Sequence, residues 1–216
     1  VTTGQRDVDV GRFGRWADSY NESRLQRLVF APLQEFTLHE AAAALPAPRA
    51  ILDVGCGTGL LLHQATRLFP QAELTGVDPA PEMVQVAQSS LPEGIPVRFV
   101  HGAAEELPFA AASFDLVFTT MSFHHWADQP KALAEVRRVL APQGLFVLTD
   151  ALPVGWLRFV FTHGGHGRFN KPSTLGAMLR TAHLPMEKHV AAPGFGGTVH
   201  VVLARAAPLL HLEGKT

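Results

Sequence analysis

From residue 50 onward the chain alternates short apolar runs with amphipathic stretches, and this alternation restricts the folds open to it more than any other feature. Residues 50–54, 73–78, 97–101, 114–119 and 145–149 read as strands. Residues 60–69, 81–90 and 172–182 read as helices. A further helix follows Asp128, where Ala132, Leu133, Val136, Val139 and Leu140 recur at three and four residues and mark one apolar face. Asp128 supplies its N-cap, and Pro142 with Gly144 ends it. Strand and helix in turn imply parallel strands with right-handed crossovers and helices on both faces, an open doubly wound sheet. The last two runs, 186–190 and 199–204, are separated by Ala191-Ala192-Pro193-Gly194-Phe195-Gly196-Gly197, with no helical stretch between them. They are therefore expected to form an antiparallel hairpin at an edge of the sheet.

The chain has 216 residues, 47% of them hydrophobic, enough for one substantial core. One domain over 1–216 is expected: an N-terminal arm and helical lid over 1–45, a core over 46–207 and a tail over 208–216. Pro32 is expected to interrupt the helical segment within 13–45. A formal net charge of −1 shows no basic excess of the kind that nucleic acid or an anionic membrane attracts, so a small-molecule partner fits better. The single cysteine, Cys56, cannot form an intramolecular disulfide, and no run of 18 apolar residues occurs. Those features lead to the expectation of a cytoplasmic protein.

Ligands of doubly wound sheets sit beyond the C-terminal strand ends at the switch point of strand order, which the first strand normally borders. Here that place holds Asp53-Val54-Gly55-Cys56-Gly57-Thr58-Gly59. Residues without side chains let a ligand lie against backbone amides, and the helix that follows offers its N-terminus to an anion. The dinucleotide pattern G-x-G-x-x-G would need glycine at position 60, where the chain has Leu60. Two further strand ends carry related signals. Leu74-Thr75-Gly76-Val77-Asp78 closes on an acid 19 positions after Gly59, suited to accepting both hydroxyls of a ribose. The third strand runs into Gly102-Ala103-Ala104-Glu105-Glu106, where an adenine could slot against backbone amides. Together they describe an adenosine with a small charged tail.

With DVGCGTG, GVDPAPEMVQVA, GAAEELPF, SFDLVFTTMSFHHW and EVRRVLAPQG in this order, the chain resembles the class I S-adenosylmethionine-dependent methyltransferases of the small-molecule group, typified by ubiquinone and menaquinone biosynthesis enzymes. The resemblance implies a Rossmann-like sheet of seven strands, mostly parallel, with the last one antiparallel. It implies S-adenosylmethionine as cofactor, with Asp53, Gly55, Cys56 and Gly57 at the methionine end and Asp78 on the ribose. Pro79 and Met83 would lie beside the adenine, and Thr119 to Met121 would border the methyl. Ala103, Ala104 and Glu105 fall where the family places its adenine contacts. Relatives commonly have Gly-Asp-Ala there, and Ala103 lacks the carboxylate. Tyr20, with Trp16, matches an N-terminal W-A-x-x-Y pattern that closes over the cofactor in relatives.

Methyl transfer from a sulfonium is an in-line displacement that requires alignment and water exclusion rather than a protein nucleophile. An oxygen or carbon acceptor, favoured here over nitrogen, profits from a general base. His124, directly after the fourth strand, is the leading candidate, with His125, His163 and His166 behind it. Trp126, Trp156, Phe159 and Phe161 would give an apolar acceptor pocket. No metal site is expected, because His163 and His166 lack an accompanying acid or cysteine cluster. A binding module for S-adenosylmethionine that acts through a protein partner is the alternative from another class.

Overall fold

A computed structural model describes residues 30–90, 94–152 and 168–207. The described chain opens on helix α1 (Ala31–Ala44) and then alternates: β1 (Ala50–Val54), α2 (Leu60–Leu68), β2 (Glu73–Asp78), α3 (Pro81–Ser89) and β3 (Val97–His101). It continues through β4 (Phe114–Thr120), a one-turn 3-10 helix (Phe123–His125), α4 (Gln129–Val139), β5 (Leu140–Ala151), α5 (Pro172–Thr181), β6 (Met186–Ala191) and β7 (Val199–Arg205).

The seven strands form one sheet in the order β3-β2-β1-β4-β5-β7-β6. The first five are mutually parallel, and β7 runs antiparallel to both β5 and β6. The hairpin is present at one edge of the sheet, with β6 outermost and β7 between it and β5. Strand order reverses between β1 and β4, so a crevice opens at their C-terminal ends.

A strand covered on both faces must be apolar on both, and β1 is: Ile51 packs into one core cluster and Leu52 into the other. In β4, Leu116 and Phe118 enter the cluster shared with α1 and α2, and Val117 enters the one shared with α4 and α5. Asp128 caps α4 by accepting the Lys131 amide through its side chain. Pro32 stands in the first turn of α1, where its missing amide has no intrahelical partner to lose; the segment before residue 30, on which the expected interruption depends, lies outside the described residues. β5 begins earlier than its apolar run suggests. Residues 140–144 enter the sheet through a register shift against β4, with Gln143 at φ +63°. Among the described residues, no helix is long and apolar enough to cross a membrane.

Candidate functional site

Where β1 ends, the chain makes its glycine turn. Gly55, Gly57 and Gly59 all have positive φ, at 76°, 52° and 79°. Two of these glycines do different work. A Cβ on Gly55 would stand 1.8 Å from Ser122 Oγ, so the turn and the segment after β4 press together there. A Cβ on Gly57 would meet nothing within 4 Å, because that face of the turn looks into open space. The turn is stapled to β2 by the Gly55 and Cys56 amides, which both donate to the Val77 carbonyl, at 2.8 and 3.1 Å. Below it, Gly76 leaves room for the Phe99 ring and the Cys56 thiol.

Asp78 completes this side. Its Oδ2 accepts the Gly57 amide at 2.8 Å and its Oδ1 accepts the Ala80 amide at 2.9 Å. Each carboxylate oxygen has a second lone pair, so both remain able to accept a hydroxyl. Burial raises the Asp78 pKa, while the Ala80 and Gly57 amides and His101 oppose the rise. Asp53 contrasts with it. Its Oδ1 is buried without a hydrogen-bond partner, and burial, followed by the charge of Asp78, pushes its pKa up to about 8. At neutral pH its carboxyl is thus largely protonated until a cation arrives beside it.

The facing wall comes from the exit of β4. Met121 holds φ +52°, an uncommon conformation for a residue with a side chain, and its amide donates to the Thr149 carbonyl at 2.8 Å. Ser122 follows, its Oγ accepting from Trp126 Nε1 at 3.3 Å. In the 3-10 turn, His124 Nδ1 lies 2.7 Å from Asp150 Oδ1, and the His124 amide donates to Asp150 Oδ2 at 2.9 Å. The His124 ring stacks on Phe169 with centroids 4.5 Å apart, and it touches the His125 ring at 4.0 Å.

Between these walls lies a cavity of about 870 Å³, counting the part open to solvent. Asp53, Gly55, Cys56, Gly57, Asp78, Pro79, Met83 and Met121 all line it. Other predicted residues stand elsewhere. Thr119 is fully buried and its successor Thr120 faces the cavity, since neighbouring strand residues point to opposite faces. His124 is buried on Asp150, and His125 is the histidine that lines the cavity. Ala103 makes a backbone bridge with Glu106, Ala104 is buried in the core, and Glu105 accepts the Asp128 amide at 3.1 Å. None of these three lines the cavity. Trp126 packs edge-on against Phe123 in the core. Tyr20, Trp16, Trp156, Phe159, Phe161, His163 and His166 lie outside the described residues.

The cavity also takes Phe30 and Gln34 from the start of α1 and Ser122 from beyond β4. No local pattern marks these three, although Gly55 carries an indirect sign of Ser122, since a glycine with a close neighbour must have one from somewhere. Gln34 is held by Gln64 Nε2, which donates to its Oε1 at 2.9 Å. Among the described residues, no group of three or more His, Cys, Asp or Glu could hold a metal ion.

The cavity suits an adenosyl sulfonium on three counts: a side-chain-free cradle at Gly57, a preset carboxylate at Asp78 and a buried acid without a partner at Asp53. Residues 52–148 match the methyltransferase domain family. An uncharacterized methyltransferase of Bacillus subtilis, YcgJ, is 39% identical over 141 residues, covering 64% of this chain and 53% of the relative. A demethylmenaquinone methyltransferase of Thermus thermophilus is 41% identical over 108 residues, covering 50% of this chain and 49% of the relative. The chain spans about half the length of these curated relatives. The 1,6-didemethyltoxoflavin-N1-methyltransferase of Burkholderia thailandensis shares the fold, with a TM-score of 0.72 at 23% identity over 96% of this chain and 92% of that one. Residues 52–148 thus match a methyltransferase domain, and the sheet that carries them has the fold of a solved methyltransferase.

Proposed function

We propose that this chain binds S-adenosylmethionine in the cavity between β1 and β4 and transfers its methyl group to a small, largely apolar molecule at an oxygen or carbon atom. The observation that carries this reading is the pairing of Asp78, fixed by two backbone amides, with the open cradle at Gly57. When bound, the cofactor supplies an electrophilic methyl on a cationic sulfur, and the protein supplies position and dryness. Asp78 holds the ribose diol through its remaining lone pairs. Pro79 and Met83 flank the adenine, and Gly55, Gly57 and Asp53 take the methionine end. An ammonium beside Asp53 draws its carboxyl into the ionised form and gives its buried oxygen a partner.

Met121 and Phe30 give the open side of the cavity an apolar lining, in keeping with a flat or greasy acceptor. The names of the relatives point the same way: several are demethylmenaquinone methyltransferases, and the Burkholderia protein holds 1,6-didemethyltoxoflavin with S-adenosylhomocysteine. We assign proton acceptance to the histidine pair after β4. His125 reaches the cavity, while His124, the candidate from sequence, sits behind it with its ring fixed by Asp150.

Asp78→Ala tests the reading directly. It leaves the Gly57 and Ala80 amides without acceptors, about 1–3 kcal/mol each when buried, and removes the diol contact. Calorimetric titration is expected to show S-adenosylhomocysteine binding to the wild type and a severe loss in a folded variant. Unchanged affinity would refute the assigned cofactor pose. Labelled donor incubated with small molecules from cell extract is expected to yield a labelled product. Binding without transfer to any acceptor would favour a module that acts through a protein partner.

A further inference from the structure

On the outer hairpin, away from the cavity, two histidines meet. His189 of β6 pairs in register with Val202, and His200 of β7 pairs with Ala191, so the two side chains sit diagonally on one face of the sheet. His189 Nε2 and His200 Nδ1 are 3.0 Å apart, and the ring centroids are 4.7 Å apart at 45°. His200 Nε2 also lies 3.0 Å from the Gly197 carbonyl oxygen. A carbonyl only accepts, so in the neutral ring Nε2 carries the proton and Nδ1 offers its lone pair toward His189.

We propose that His189 and His200 form a two-histidine site for a divalent transition-metal ion of the nickel and copper type, with water completing the coordination. Imidazole nitrogens suit these ions, and two bonds of about 2.1 Å at a right angle span about 3.0 Å, whereas a tetrahedral angle needs about 3.4 Å. The observed 3.0 Å is the length of the hydrogen bond between the rings, and it brings both nitrogens within reach of one ion. The Gly197 carbonyl plays the outer-shell part, fixing the tautomer and orientation of His200. Binding replaces the shared hydrogen bond: the His189 proton moves from Nε2 to Nδ1, and the exposed His189 ring turns so that both lone pairs face the ion.

Neighbouring charges are already engaged. Glu187 pairs with Arg205 at 2.7 Å and Lys188 with Glu40 at 2.6 Å. Without a carboxylate in the set, the site offers little to magnesium or calcium, which require oxygen ligands. The turn of the same hairpin packs Ala192, Val199 and Phe195 with Leu33 and Met121, and Met121 lines the cavity. An ion bridging β6 and β7 therefore stiffens an element that backs the candidate active site.

The test is a calorimetric titration of the full chain with nickel chloride, alone and as His189→Ala and His200→Ala. The wild type is expected to bind one more equivalent than either variant, to gain thermal stability that neither variant gains, and to ignore magnesium chloride. The chain's other histidines contribute the same background to all three proteins. Equal stoichiometry in wild type and variants overturns the proposal, as does a loss confined to one variant, since chelation needs both rings. Should His200→Ala fail to fold, His200→Asn and the exposed His189→Ala decide the matter in its place.

Discussion

The β1–β2 wall of the cavity and the wall at the exit of β4 satisfy their polar groups in different ways. On the first, successive backbone amides of the glycine turn find acceptors within the same β-α-β unit, at Val77 and Asp78. On the second, Met121 and His124 are held by β5, through Thr149 and Asp150, and Ser122 is held by Trp126. The first wall is a self-contained cradle that a short motif can encode. The second takes its shape from its neighbours, which leaves it freer to vary with the acceptor. Gly55 is where they touch, and the largest expected effect lies there.

Gly55→Ala would set a Cβ 1.8 Å from Ser122 Oγ at φ +76°. Left-handed backbone costs an L residue about 1–2 kcal/mol, and forced repacking adds about 1–3 kcal/mol. Denaturant titration is expected to show a loss of roughly 2–5 kcal/mol on this reasoning. Gly57→Ala separates the walls' contact from the cradle's own demand. Its Cβ meets no protein atom within 4 Å, so only the backbone cost of about 1–2 kcal/mol applies, while S-adenosylhomocysteine binding is expected to fail. Equal destabilisation by the two substitutions would break the comparison.

Asp53→Asn probes the polar group that the first wall leaves without a partner. The wild-type carboxyl has a pKa of about 8 in the fold, against about 3.9 in the unfolded chain. The native state therefore holds the extra proton between those values, and ligand-free stability is lost as pH rises from about 4 to about 8, by at most about 1.4 kcal/mol per pH unit. Asp53→Asn removes that dependence. Melting temperatures measured across this range should fall more steeply for the wild type than for the variant, and parallel curves would mean that Asp53 is solvated.

The smallest effect concerns the segment after β3. Ala103→Asp supplies the acid that the family resemblance implies at this position, and one added hydrogen bond of about 1 kcal/mol would tighten S-adenosylmethionine roughly fivefold. Ala103 does not line the cavity, so an unchanged affinity would show that the adenine end is closed without it.

The alternation of strand and helix was legible because each element repeats a local period, and the doubly wound sheet with its antiparallel final strand follows from it. The early start of β5 was harder, since residues 140–144 join the sheet through a register shift that no apolar run marks. That Asp53, Gly55, Gly57 and Asp78 would lie together on the cavity was legible, because the turn and the acid answer to backbone geometry within one β-α-β unit. His125 could not be told from His124, because the 3-10 turn and the Asp150 side chain decide which of two adjacent rings is turned inward. Phe30 and Gln34 reach the cavity only through the docking of α1 beside α2.

The sequence by itself determined the order of elements, the side-chain-free bend after β1 and the acid closing β2, since local sterics and hydrogen bonding dictate all three. Tertiary structure alone decided which residues oppose that bend, which carboxyl is left buried without a hydrogen-bond partner, and where two histidines of neighbouring strands meet. Those outcomes depend on contacts between segments far apart in the chain, and burial and electrostatic coupling arise only once those segments have packed.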